Sequence, residues 1–123
     1  PILVNVNDPP QLRITPVMQS IGTVPTDSKV NARFLLTNTG GHTLAIQAVE
    51  PSCGCTAANL PKNRLRPGES VPLGITLDTS IKLGEVIKTI DIRSNDPAQP
   101  VATATLTGNV IFQMQGHQPI KVK

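Results

Sequence analysis

An all-β fold, an immunoglobulin-like β-sandwich of about seven antiparallel strands, is predicted by three features of the sequence. Apolar and polar residues alternate over short stretches, turn residues close each stretch, and no segment sustains the 3.6-residue apolar period of a helix. Composition agrees: 12 Pro and 9 Gly punctuate a chain of 123 residues in which 38% are hydrophobic and 15% charged. That is too apolar for a disordered tail and too interrupted for a helical protein. A chain of this length can bury a real core as one domain. The core must be built from Val, Ile, Leu and Ala, because Phe34 and Phe112 are the only aromatic residues.

The elements follow in order. The opening "PILVNVNDPP" is extended and broken at Asp8-Pro9-Pro10, and "QLRITPVMQSIGTV" reads as a first strand region interrupted at Pro16, as suits a sheet edge. In "KVNARFLLTNTGG", Val30, Ala32, Phe34 and Leu36 share one face, and the strand ends at a turn over Asn38-Thr39-Gly40-Gly41. "HTLAIQAVEP" sets Leu44, Ile46 and Ala48 inward and stops at Pro51, which leaves "SCGCT" at a strand end or in a loop. A Pro67-Gly68 turn leads into "SVPLGITLD", where Val71, Leu73, Ile75 and Leu77 alternate. "EVIKTIDIRS" is a further strand, and "SNDPAQP" a further turn. In the last strand, "VATATLTGNVIF", Ala102, Ala104, Leu106, Val110 and Phe112 face inward, and Gly108 marks a bulge or bend. No parallel pairing is required. The domain organisation read from this pattern is an extended segment over 1–11, the immunoglobulin-like domain over 12–112, and a tail or linker over 113–123.

A formal charge of +3 comes from eleven scattered Lys and Arg against eight acids. Without a basic stripe, aromatic platforms or a reading helix, nucleic acid is not expected as a partner. No apolar run approaches the ~18 residues that span a bilayer, so this segment is not expected to insert into a membrane. The start lacks the charged and apolar regions of a signal peptide, although a targeting segment could have been removed. Enzyme motifs are missing as well: no phosphate loop, no G-x-S-x-G and no H-E-x-x-H occurs, and the acids are dispersed.

The constellation that can carry chemistry is Cys53-Gly54-Cys55, which holds both cysteines of the chain. Three readings of it compete. The pair could form a disulfide, closing a loop too small to constrain the unfolded chain much and easily reduced, which leaves a redox role open although no C-x-x-C occurs. It could instead hold Cu(I), a soft ion that accepts few ligands and prefers thiolate and thioether sulfur, with His42, Met18, Met114 and His117 as candidate additional ligands. Zinc fits less well, since four ligands would require both histidines. Or the two thiols are small semi-buried hydrophobes at a strand end. His42 otherwise reads as an exposed turn residue, and the Asn, Gly, Pro and Asp of the other turns as scaffold.

Four landmarks occur in a familiar order: "FLLTNTGGHTLAI", "PSCGCTAA", "LRPGESVPLGITLDTS" with "GE", and "IRSNDPAQP" followed by "LTGNV". Together they resemble the bacterial DUF1573 family, a domain of unknown function related to the immunoglobulin-like domains of the ASPM, SPD-2 and Hydin group. The resemblance covers about residues 12 to 112. It implies an immunoglobulin-like sandwich exported to the periplasm or cell surface, joined to other domains, and without catalytic activity. The expectation is therefore a non-catalytic extracytoplasmic binding module whose leading candidate site is the Cys-Gly-Cys turn. Its expected partner is a protein or a neighbouring domain. The alternative is a Cu(I) chaperone or storage protein using Cys53 and Cys55.

Overall fold

A computed structural model describes residues 8–80 and 83–112. Most of the extended segment expected over 1–11, and all of the tail expected over 113–123, lie outside the described residues. The strands are β1 (Leu12–Thr15), β2 (Met18–Pro25), β3 (Lys29–Asn38), β4 (Leu44–Pro51), β5 (Thr56–Asn59), β6 (Arg64–Leu65), β7 (Ser70–Asp78), β8 (Gly84–Ser94) and β9 (Val101–Ile111). They form two sheets, ordered β1-β3-β7-β5 and β2-β9-β8-β4-β6. The all-β immunoglobulin-like sandwich predicted from alternation is the fold, with nine strands instead of seven. Among the described residues no helix is long and apolar enough to cross a membrane.

Two short strands and one split add three to the six strands that alternation marks out one by one. β5 and β6 have four and two residues, too few for an alternating pattern to show. The first strand region divides at Pro16, behind a cis Thr15-Pro16 bond, and its halves become edge strands of different sheets. β2 then runs parallel to β9, which corrects the expectation of purely antiparallel pairing. The chain reaches that edge by crossing between sheets at Pro16, so a long helical crossover is not needed for the parallel contact.

The core lies between the sheets. Phe34 and Leu36 of β3 stand opposite Leu73 and Val71 of β7 and share one buried cluster with Ile75 and Leu77 of β7, Ile90 and Ile92 of β8 and Leu106 of β9. Two inward assignments change. A register shift between Ile46 and Ala48 breaks the parity of β4, so Val49, not Ala48, packs against the core. Phe112 follows the end of β9 and is 67% exposed, unlike Val110. Gly108 is not itself a bulge: β9 pairs with β8 regularly through it, and the irregularity sits on β2 between Ser20 and Thr23. A side chain at Gly108 would overlap Ile21, with Ile21 Cδ1 2.9 Å from the new carbon, so glycine there makes room for the β2 bulge.

Three turn motifs close one end of the sandwich. Asn38 is fully buried. Its Nδ2 donates to the carbonyls of His42 (2.7 Å) and Leu65 (2.9 Å), while its Oδ1 accepts from the N–H of Gly40 (2.9 Å) and Gln11 (3.3 Å). Its backbone binds the Pro-Gly-Glu turn, from Gly68 N–H to Asn38 O and from Asn38 N–H to Glu69 O. Buried Asp96 accepts from the Leu12 N–H at 3.0 Å and from those of Ala98 and Gln99, fixing the β8–β9 turn to the edge strand β1. The residues read as scaffold are thus consumed in satisfying backbone groups.

Glu69 adds a pH dependence. Its carboxylate receives hydrogen bonds from Lys62 and from the Arg66 N–H, and these hold its pKa below the ordinary value. At the far end of β7, the Ser80 N–H lowers Asp78 in the same way, with help from Lys29. A carboxylate more acidic in the folded chain than in the unfolded one stabilises the fold above the ordinary carboxylate range, and that contribution disappears as pH falls through the folded value. Thermal melts should therefore show a loss of stability on acidification below about pH 5. In Glu69→Gln that loss should be smaller; an unchanged acid profile would remove the assignment.

Candidate functional site

The opposite end of the sandwich is built differently. β4 belongs to the five-stranded sheet and β5 to the four-stranded one, so the segment between them, Ser52 to Cys55, must cross the gap. Pro51 ends β4, and Ser52 keeps the chain on β8 by exchanging hydrogen bonds with Thr89, N–H to carbonyl at 2.8 Å and hydroxyl from N–H at 3.1 Å. A tight turn follows, in which the Thr56 N–H donates to Cys53 O, and the Asp78 N–H then docks on Cys55 O at 2.8 Å. The Cys-Gly-Cys run is therefore a crossover pinned to β8 on one side and to β7 on the other.

Cys53 and Cys55 are joined by a disulfide, with Cα atoms 5.3 Å apart. The Cys55 N–H donates to Cys53 Sγ at 3.2 Å, and the hydroxyl of buried Thr56 lies 3.8 Å from both sulfurs. Beneath the crossover a cleft of about 470 Å³ opens between the sheets. Leu77, Val86 and Val110 supply its apolar floor, Asp78 and Ser80 part of its rim, and Lys88 a cation. Lys88 has the inward parity of Val86, Ile90 and Ile92, and stands opposite buried Leu106.

Lys88 is the residue that reading the sequence missed. All eight acidic side chains of the chain lie within the described residues, and the ion pairs among these are Lys29–Asp78, Lys62–Glu69 and Arg93–Glu50. Lys88 joins none of them. A lysine in the inward row of a core strand is unusual unless it is paired or reaches water. The signal was present in "EVIKTIDIRS", where Val86, Lys88, Ile90 and Ile92 share one parity.

The candidate metal ligands do not assemble around the cysteines. His42 lies at the other end of β4, where its Nδ1 donates to the Asp8 carbonyl at 2.6 Å. Met18 pairs with Thr105, which pairs with Thr89, which holds Ser52; that row places Met18 three strand spacings from the crossover, about 14 Å. Met18 is also 61% exposed. Met114 and His117 lie outside the described residues. Among the described residues no three His, Cys, Asp or Glu side chains gather as a metal set, and the bonded sulfurs present no thiolate.

A family model described as "Protein of unknown function (DUF1573)" matches residues 12–110. The chain belongs to the DUF1573 family. Among solved structures it is similar to a protein of unknown function from Porphyromonas gingivalis W83, with a TM-score of 0.74 and 18% identity over 81% of this chain and 46% of that one. It is also similar to the VesB protease of Vibrio cholerae, with a TM-score of 0.68 and 17% identity over 80% of this chain and 32% of that one. The ASH / PapD-like domain of human CEP192 matches with a TM-score of 0.59 and 14% identity over 92% of both chains. This chain spans less than half the length of the first two. At these identities the likeness is one of fold. No curated protein matches the sequence.

In this DUF1573 chain, the N-T-G-G, P-G-E and S-N-D-P landmarks are accounted for by the turn end of the sandwich. The C-G-C landmark is not. Its disulfide closes a loop with a sequence separation of only 2, so it contributes little to the fold through loop closure, yet it roofs the inter-sheet cleft.

Proposed function

We propose that this domain is a non-catalytic binding module that receives a segment of a protein partner or neighbouring domain in the cleft under the Cys53–Cys55 crossover. The observation that carries this reading is one recess that combines an apolar floor of nearly buried Leu77, Val86 and Val110 with the cation of Lys88, which joins no ion pair among the described residues. An apolar side chain would bury against the floor, and an adjacent carboxylate would meet Lys88; concave apolar sites with a few convergent polar groups are the usual form of a binding pocket. The reading of the domain as non-catalytic is supported by the separation of His42 from the cysteines, which leaves the sulfurs without an imidazole base among the described residues. An extracytoplasmic location, periplasmic or at the cell surface, fits a cysteine pair used as a disulfide. Copper handling would belong to the reduced protein alone, through two sulfurs and without His42 or Met18.

Selection of random peptides on the wild-type domain, followed by affinity measurement on Lys88→Gln and Lys88→Glu, tests the reading. Selected peptides should be rich in apolar residues next to a carboxylate, and should lose about tenfold or more in affinity on either variant. Peptides that bind both variants as tightly as wild type would place recognition elsewhere.

A further inference from the structure

We propose that the Cys53–Cys55 bond is a thiol–disulfide exchange site, with Lys88 as the electrostatic partner of the thiolate it releases. This goes beyond the binding role and does not depend on it.

Three placements support exchange chemistry. The bond lies on a crossover at the mouth of a cleft, where an incoming thiol can approach, and it does not cross-link distant parts of the fold. The Cys53 sulfur already accepts the Cys55 N–H. Buried Thr56 aims its hydroxyl at the two sulfurs and makes no other side-chain hydrogen bond among the described residues. A thiolate needs donors and positive charge around it, and among the described residues the cation lining this cleft is Lys88, which joins none of their ion pairs. Cys55, by contrast, packs against the hydrophobic core, so of the two sulfurs Cys53 is the better placed to carry negative charge.

The co-reactant is a dithiol. One of its sulfurs, as thiolate, attacks Cys55 Sγ; the new S–S bond forms as the Cys53–Cys55 bond breaks, and its electron pair leaves on Cys53 Sγ. The second sulfur of the dithiol, as thiolate, then attacks the dithiol sulfur of the mixed disulfide and expels Cys55. The dithiol is oxidised to a disulfide, the cysteine pair is reduced by two electrons, and the two protons of the dithiol end on the cysteine sulfurs. In reverse, the reduced pair passes electrons to a disulfide. Lys88 and Thr56 favour the forward step by stabilising the Cys53 thiolate as it forms.

The test follows reduction of the whole domain by dithiothreitol, quenched by alkylation and read by mass. The variants are Lys88→Met, Lys88→Arg and Thr56→Val, and a synthetic peptide of residues 51–57 carrying the same disulfide is the reference. Wild type should be reduced roughly three- to tenfold faster than Lys88→Met, with Lys88→Arg close to wild type and Thr56→Val intermediate. It should also be reduced faster than the peptide, which has the bond without the cleft. A Lys88→Met rate within twofold of wild type would overturn the proposal. Should Lys88→Met fail to fold, a Thr56→Val rate equal to wild type, or a peptide reduced as fast as the domain, would overturn it as well. Because the reductant is a small dithiol, a negative result here leaves the binding cleft untouched, and peptides that fail to bind leave the exchange rates untouched.

Discussion

Phe34→Ala is expected to lower the unfolding free energy by about 3 to 5 kcal/mol, a large share of the ~5–15 kcal/mol that holds a domain together. Phe34 is fully buried. It stands opposite Leu73 in the β3–β7 pairing and belongs to the same core cluster as Leu36, Ile75 and Ile90. It is the one aromatic among the buried residues, in a core otherwise made of aliphatic side chains that cannot flow into the void. Truncation therefore loses the transfer free energy of the ring and adds a cavity term. Phe34→Leu, which keeps most of the volume, should cost much less. Chemical denaturation measures both: the midpoint should fall with an unchanged slope, and a loss below about 1 kcal/mol for Phe34→Ala would contradict the packing described.

Asn38→Ala is expected to cost about 2 to 4 kcal/mol, although the side chain removed is small and polar. Two carbonyls, His42 O and Leu65 O, and two N–H groups, of Gly40 and Gln11, lose their partner at once. A buried group left unsatisfied costs more than the hydrogen bond was worth. Asn38→Asp should be no better: the carboxylate can still accept from Gly40 and Gln11, but it sets negative charge against two carbonyl oxygens in a site without exposure. Denaturation of the pair, with Thr37→Val on the half-buried neighbour as a control, tests this; Asn38→Asp as stable as wild type would show that the network is not satisfied as described.

Much of this architecture is legible in the sequence, for reasons that individual residues make plain. Val71, Leu73, Ile75 and Leu77 all turned inward because strand parity is local, and Asn38, Pro67-Gly68 and Asp96-Pro97 marked turns because their backbone chemistry is local too. What depended on distant partners was hidden. Pro16 reads as a break in one strand, but its effect is to move the chain from one sheet to the other and create a parallel edge. The β4 register shift moved Val49 into the core in place of Ala48. Parity alone could have set Lys88 inward, yet only the approach of β7 and β9 makes its surroundings a cleft. The same limit explains the metal-ligand expectations: residue type named His42 and Met18 as partners for Cys53 and Cys55, but type carries no distance, and the fold sends His42 to the far end of β4. The C-G-C run was placed correctly as a segment beyond the Pro51 stop. Its role as the roof of a recess came from the crossover.

The central claim, that recognition occurs in the cleft beneath the Cys53–Cys55 crossover, is tested most directly by mapping a selected peptide ligand onto the domain through backbone amide chemical shifts. The account predicts that the largest shifts cluster at 53–55, 77–80, 86–88 and 110, around the cleft walls. Shifts clustered instead on the outer face of the β2-β9-β8 sheet, around Met18, Ile87 and Thr105, would contradict it.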